Sequence, residues 1–346
     1  MRSALYYPHT TIRSDHLLKT SLLLWDSVHV IVPWPHYTPH HRSKEAAEAF
    51  SLIGKCHFPT DAEKEHAHKL VEDFVTRPLP AAFSYSLDRN AHDHYDIYPE
   101  KFLYKTVEML RERGMSVQAG RRNMRSSAAT GLAVMNIVAD CCAGKTLARV
   151  TDEGTAYASL AGLLIEPDAT VAVNEARETL VPILIRAIDV KKFSLKRLID
   201  FRKREVSSAD GSQLRALRHK LLDKIEGQAK QMATLGPGLA RKTMQDEFEA
   251  DMKDDYRDLR DALKAKATET LATKEFLTAA ISGVGSIATS CAVPVFPLAA
   301  PASGVQGAIS VGGLLALKSK WVQERRKLLK EHPTAYIYEA VGGLRL

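Results

Sequence analysis

The sequence predicts an α-rich α/β protein. The expected parts are an N-terminal α/β domain of three to four strands, a long antiparallel helical hairpin and a C-terminal apolar helical hairpin. Three observations predict it. A strand–helix–strand pattern opens the chain, and its second strand is the run VHVIV (28–32) ended by Pro33, as in a buried parallel strand. Apolar residues at spacings of three and four run through 214–267 on both sides of a Gly-Pro-Gly turn, the pattern of two paired helices. From 276 to 317, 42 residues carry no charge in a chain that is 26% charged. The expected units are 1–190, 191–275 and 276–346.

Residues 3–8 (SALYYP) read as a short strand, and Ser14 or Asp15 caps a helix that runs to residue 24. With 28–32 these make a β-α-β unit. Helices are expected over 44–53 and 61–76, joined by KCHFPT, with Thr60 as a cap. Residues 78–98, rich in Pro, His, Tyr and Asp, read as irregular. Pro99 opens a helix over 99–113 that Gly114 stops. An apolar helix over 126–143 ends at Gly144, and 147–150 is the next strand, followed by Thr151 and Asp152. Helical patterns cover 154–164 and 169–178, and 180–188 fits a last strand or a buried helix interrupted by Pro182.

From Ser194 the pattern is helical. Ser194 caps SLKRLIDFRKREV. Leu214, Leu217, Leu221, Ile225, Ala229, Met232 and Leu235 form one stripe, and Met244, Phe248, Met252, Tyr256, Leu259, Leu263 and Ala267 form the next. A helix over 239–275 is on the order of 55 Å long. KSKWVQERRKLLKEH is a basic amphipathic helix carrying Trp321, and PTAYIYEAVGGLRL is expected to pack back on the body.

Pro294, Pro297 and Pro301 divide the charge-free stretch into arms 276–293 and 302–317. A membrane span needs about 20 predominantly apolar residues. The arms have 18 and 16, and only six of the first 18 are strongly apolar. Insertion then gains roughly a few kcal/mol per arm, too little for a permanent anchor. Small residues recur every fourth position, at Ser282, Ser286 and Ser290 and at Gly304, Ala308 and Gly312. Such smooth stripes allow close helix–helix approach. The expectation is a hairpin packed on protein, with Val284 inside. A stored hairpin that enters a membrane or an oligomer on a trigger is the sharper alternative.

Net charge is +7, from 48 basic and 41 acidic residues. That mixture admits nucleic acid or anionic lipid as partners without requiring them. Four cysteines, two of them adjacent, suit a reducing cytosol better than a disulfide framework. The first residues, MRSALYYPHTTIRSDH, lack the apolar core of a secretory signal. The expected location is the cytoplasm, with peripheral contact to the inner membrane as the alternative.

No motif assigns catalysis. ADCCAGKT (139–146) ends like a phosphate-binding loop but has Ala139 where that loop needs glycine, and its helix precedes its strand. It reads as a helix C-cap. Asp26, Asp140 and Asp152 flank strand candidates. Gathered at one end of a parallel sheet, such carboxylates hold Mg²⁺ in small nucleases. A PIN-like nuclease wants an aspartate at the end of its first strand, where this chain has Tyr7-Pro8-His9. Eight histidines fall between 36 and 94, near Cys56, yet their spacings match no compact zinc module. No metal and no cofactor are expected. Lys318, Lys320, Arg325, Arg326, Lys327 and Lys330 make a basic surface beside the apolar stretch, solvated or facing phosphate or lipid.

The order of these pieces resembles an uncharacterised bacterial domain-of-unknown-function family. The resemblance lies in ALYYP, WDSVHVIVP, IVADCCAGKTLARVTDE, SLKRLIDFRKRE with the following LRALRHKLL, the Ala/Gly-rich stretch, and the ending HPTAYIYEA. It covers nearly the whole chain with loose motifs and carries no activity. Such genes look like accessory genes of bacteria and their mobile elements, which implies a phage-defence setting.

The function expected is therefore non-catalytic: a sensor, adaptor or effector acting through helical assembly, at a membrane in the triggered case. A protein partner or a second copy is the expected partner. The alternative is a nucleic-acid binder or metal-dependent nuclease using Asp26, Asp140 and Asp152.

Overall fold

The computed structural model describes residues 2–86, 94–120, 123–144, 146–153, 193–235, 239–271 and 311–341. At its centre is a four-stranded parallel sheet in the order β3-β2-β1-β7. Its strands are β1 (Ser3–Tyr6), β2 (Ser27–Ile31), β3 (Gly54–His57) and β7 (Ala148–Val150). Ser3 aligns with Ser27, Val28 with Gly54, and Ala4 with Ala148. The α-rich α/β class is as the sequence predicts.

Strand alternation makes two cores, because successive side chains point to opposite faces. Ala4, Tyr6, Val28, Val30 and Val32 face one layer. Leu5, Tyr7 and Ile31 face the other. The first layer begins with α1 (Asp15–Leu24) and α2 (Lys44–Ile53), capped by the side chains of Ser14 and Ser43. The second contains α3 (Asp61–Thr76), whose Thr60 and Glu63 form a full capping box. It also contains α4 (Tyr104–Glu112) and α5 (Ala128–Ala143). Gly114 and Gly144 end α4 and α5 in the positive-φ conformation that glycine tolerates.

Two features depart from the sequence expectation. KCHFPT contributes an edge strand, β3, rather than a plain linker. A separate antiparallel sheet, β4-β6-β5, is built from β4 (His94–Ile97), β5 (Ser116–Ala119) and β6 (Asn123–Ser127). The sequence pattern is irregular over 94–98 and helical from 126, whereas the chain is extended at His94–Ile97 and up to Ser127. The expected helix over 99–113 divides into a 3-10 turn, Pro99–Lys101, and α4. These strands are only four or five residues long, too short for their alternation to stand out from the polar loops around them.

The helical part follows with α6 (Leu195–Ser207), capped by Ser194, then α7 (Gly211–Ala233) and α8 (Leu239–Leu271). Then come α9 (Val311–Glu331) and α10 (Ala335–Val341). The stripes are buried as expected: Leu214, Leu217, Leu221, Ile225, Ala229 and Met232 on α7, and Phe248, Met252, Leu259, Leu263 and Ala267 on α8. Their partners are broader than one hairpin. α7 packs on α6 and α10 more than on α8, and α8 packs chiefly on α9. α6 lies on α1 and α2, so the first core runs without a break from the sheet into the helices.

Ser282, Val284, Ser286, Ser290, Gly304 and Ala308 of the expected apolar hairpin lie outside the described residues. Gly312 falls within α9, which continues directly into the basic segment.

A buried charge network joins the parts. Glu205 on α6 accepts from Arg202 (2.7 Å) and Tyr336 (2.8 Å) on one oxygen and from Arg218 (2.6 Å) on the other. Arg202 also donates to the Trp25 carbonyl at 3.1 Å, and Arg218 pairs with Asp26. All four ionic side chains are nearly or fully buried, two positive and two negative. Burying them without partners would be prohibitive.

Candidate functional site

The strand order places a topological switch at β1. From β1 the chain steps outward through β2 to β3, and later returns to β1's other side as β7. In open parallel sheets the crevice outside the carboxyl ends of the strands at such a point is where ligands bind. Here that edge carries His9, just past β1, and Asp152 and Glu153, just past β7. The backbone pairing continues to the edge, with the Tyr7 N–H donating to the Val150 carbonyl at 3.2 Å.

The side chains are held from below. The Tyr6 hydroxyl donates to Asp152 Oδ2 at 2.9 Å and receives the Arg13 backbone N–H at 3.4 Å. Burial, and then the Asp152 carboxylate, push the Tyr6 phenol well above its ordinary range. It stays a neutral donor. Asp152 Oδ1 is buried and makes no hydrogen bond among the described residues, so one acceptor faces inward unused.

His9 stacks on Tyr95, with ring centroids 5.7 Å apart, and its Nδ1 lies 3.2 Å from the Tyr95 hydroxyl. Burial, then the charges of Arg13 and Lys101, bring its pKa down to about 3. The imidazole is neutral at physiological pH and presents a lone pair. A cavity of about 290 Å³ opens here, lined by His9, Arg13, His94, Tyr95, Asp96 and Arg125. Arg125 grips Asp96 through two bonds of 2.7 and 2.9 Å. Arg13 is exposed and makes no ion pair among the described residues.

The three aspartates considered for a nuclease do not converge. Asp26 precedes β2, beside Arg2 at the amino end of the sheet, whereas Asp152 follows β7 at the carboxyl end. About six strand residues separate the two levels, roughly 20 Å. Asp26 belongs to the Arg218 network, and Asp140 pairs with Arg149. Tyr7-Pro8-His9, which stands where a PIN-like nuclease has its aspartate, instead contributes His9 to the cleft.

Two groups have metal-ligand geometry among the described residues: His9, Asp152 and Glu153 at the cleft, and His57, Glu63 and Cys142 elsewhere, each with its ligand atoms within 4.8 Å of one another. Neither group forms a recognisable motif in the sequence. Each group draws on separate stretches of the chain, and only Asp152 with Glu153 and His57 with Glu63 lie close to one another in sequence. Cys56, weighed as a zinc ligand, instead contacts the Tyr37 carbonyl.

On the basic surface, Lys320, Arg326, Lys327 and Lys330 are exposed, while Arg325 pairs with Glu339. Among the described residues no helix is long and apolar enough to cross a membrane.

No family model, curated protein or solved structure matches this chain. Fold and cleft thus define a class alone: an α-rich α/β protein with a polar cleft at the switch point of its parallel sheet.

Proposed function

We propose that the protein is a non-catalytic ligand sensor, in which the switch-point cleft reads a small polar ligand and the helical part passes the result to a protein partner or a second copy. The observation that carries this reading is the unbroken core from the strands beneath the cleft to α6, α7, α8, α9 and α10. Tyr6 belongs to that core and holds Asp152 beside His9 at the edge of the cleft. A ligand that moves Asp152 therefore acts on a side chain packed in the same core as the helices. The bacterial defence setting rests on the family resemblance, and contact with anionic lipid rests on the exposed face of Lys320, Arg326, Lys327 and Lys330.

The test is thermal stability against a panel of nucleotides with Mg²⁺, with mass measured by light scattering. A ligand at a hundred times its Kd stabilises by about 2.7 kcal/mol. The shift should vanish in Arg13→Ala and His9→Ala, and binding should change the oligomeric mass. Steady hydrolysis or group transfer, abolished by one point mutation, would overturn the non-catalytic reading.

Nucleic acid is the second reading, supported by the +7 charge and the same basic face. It requires salt-sensitive binding. Unchanged mobility of mixed DNA and RNA at low salt removes it.

A further inference from the structure

An edge strand of the sheet and two helices of the second layer bring together an imidazole, a carboxylate and a thiol. His57 ends β3, Glu63 lies in the first turn of α3, and Cys142 lies in the last turn of α5. The His57 and Glu63 side chains are 22% and 21% exposed, enough for an ion to reach them, whereas Cys142 is buried at 7%. This group shares no residue with the cleft.

We propose that His57, Glu63 and Cys142 bind one Zn²⁺. Their ligand atoms all lie within 4.8 Å of one another, and His57 Nε2 is already 3.1 Å from Glu63 Oε2. Around tetrahedral zinc, nitrogen, oxygen and sulfur ligands stand about 3.3–3.8 Å apart. Side-chain shifts on the order of 1 Å close the site. The thiolate selects zinc over Mg²⁺ or Ca²⁺, which prefer all-oxygen shells.

The carboxylate is held ready. Glu63 Oε2 accepts from the Thr60 N–H at 2.7 Å and the Thr60 hydroxyl at 3.0 Å. Among the described residues every hydrogen bond to its carboxylate falls on Oε2, which leaves Oε1 for a metal. Such outer contacts orient metal ligands. The charged and titratable groups around Cys142 are His57, Glu63, Cys141, Lys101 and Lys64. As the Zn–S bond forms, the thiol proton leaves to solvent, and nothing is oxidised or reduced. Three protein ligands leave the fourth position to water, as in an open rather than a closed structural zinc site.

The test uses Zn²⁺ and Co²⁺ alone on the full chain, and does not depend on the cleft reading. One equivalent of Zn²⁺ should bind with sub-micromolar affinity. Co²⁺ should give a thiolate-to-cobalt charge-transfer band in the near ultraviolet. Cys142→Ser should abolish the band with Cys56 and Cys141 intact, and His9→Ala should leave it. His57→Gln, at a partly exposed position, should fold and weaken Zn²⁺ at least tenfold. Glu63→Gln keeps the capping box and should also weaken it. No band in the wild-type protein, a band that survives Cys142→Ser, or unchanged affinity in His57→Gln would overturn the proposal.

Discussion

Replacing Glu205 by alanine should be among the most costly single changes in the protein. Glu205 is 2% exposed and receives Arg202, Arg218 and Tyr336. Without it, Arg218 keeps Asp26, Arg202 keeps the Trp25 carbonyl but no acidic partner among the described residues, and the Tyr336 hydroxyl loses its acceptor. Breaking a buried pair from one side costs about 3–5 kcal/mol, because the remaining charge is stranded out of water. At about 2 °C per kcal/mol for a chain of this size, the midpoint should fall by about 6–10 °C. Glu205→Gln should cost nearly as much, since its amide turns two donors toward groups that are themselves donors. Urea unfolding at neutral pH measures the change, and hydrogen exchange on α6 and α10 locates it. A loss below about 1 kcal/mol in both variants would refute the reasoning, since it would place the network in water.

Gly131→Ala is informative in sign: alanine normally favours a helix interior by up to about 1 kcal/mol, but here its Cβ would stand 2.5 Å from the Tyr95 side chain. The expected result is a loss of about 1–3 kcal/mol by overpacking, read by urea unfolding. Asp255 on α8 accepts from the Thr334 N–H (3.0 Å), the Thr334 hydroxyl (2.6 Å) and His332 (2.9 Å). Asp255→Ala should cost about 1–3 kcal/mol and speed amide exchange in α10, leaving α1 protected. Burial alone would raise the Asp26 pKa, but the Arg2 N–H, Arg218 and His219 overcome it and hold it at about 2 against an ordinary 3.8. Its contribution, about 2 kcal/mol, is complete above about pH 5 and is lost as pH falls through about 2. The acid limb of stability against pH should be flatter in Asp26→Asn over that window, and an unchanged slope would count against the assignment.

Much of the frame was legible in the sequence. The β-α-β opening, the Ser194 and Thr60 caps, the stops at Gly114 and Gly144 and the stripes of α7 and α8 are local signals. Each is written within a dozen residues by periodicity or by backbone preference. β3 was not legible, because GKCH at the sheet edge has partly exposed side chains and no apolar alternation. β4, β5 and β6 were missed for a similar reason: their pairing, such as Asp96 opposite Arg125, is selected by a neighbouring strand rather than by local pattern.

The cleft and the metal groups belong wholly to tertiary structure. His9 and Asp152 are separated by most of the N-terminal domain and meet because β1 and β7 are adjacent in the sheet. Asp26 and Asp152 look alike as strand-flanking carboxylates in the sequence, yet one lies in an arginine network and the other in a cleft. The sequence by itself determined where apolar surface must be buried, since that depends on spacing along one element. Which polar side chains converge was decided by strand order and direction, because a polar residue acquires its chemistry from neighbours that the chain brings in from far away.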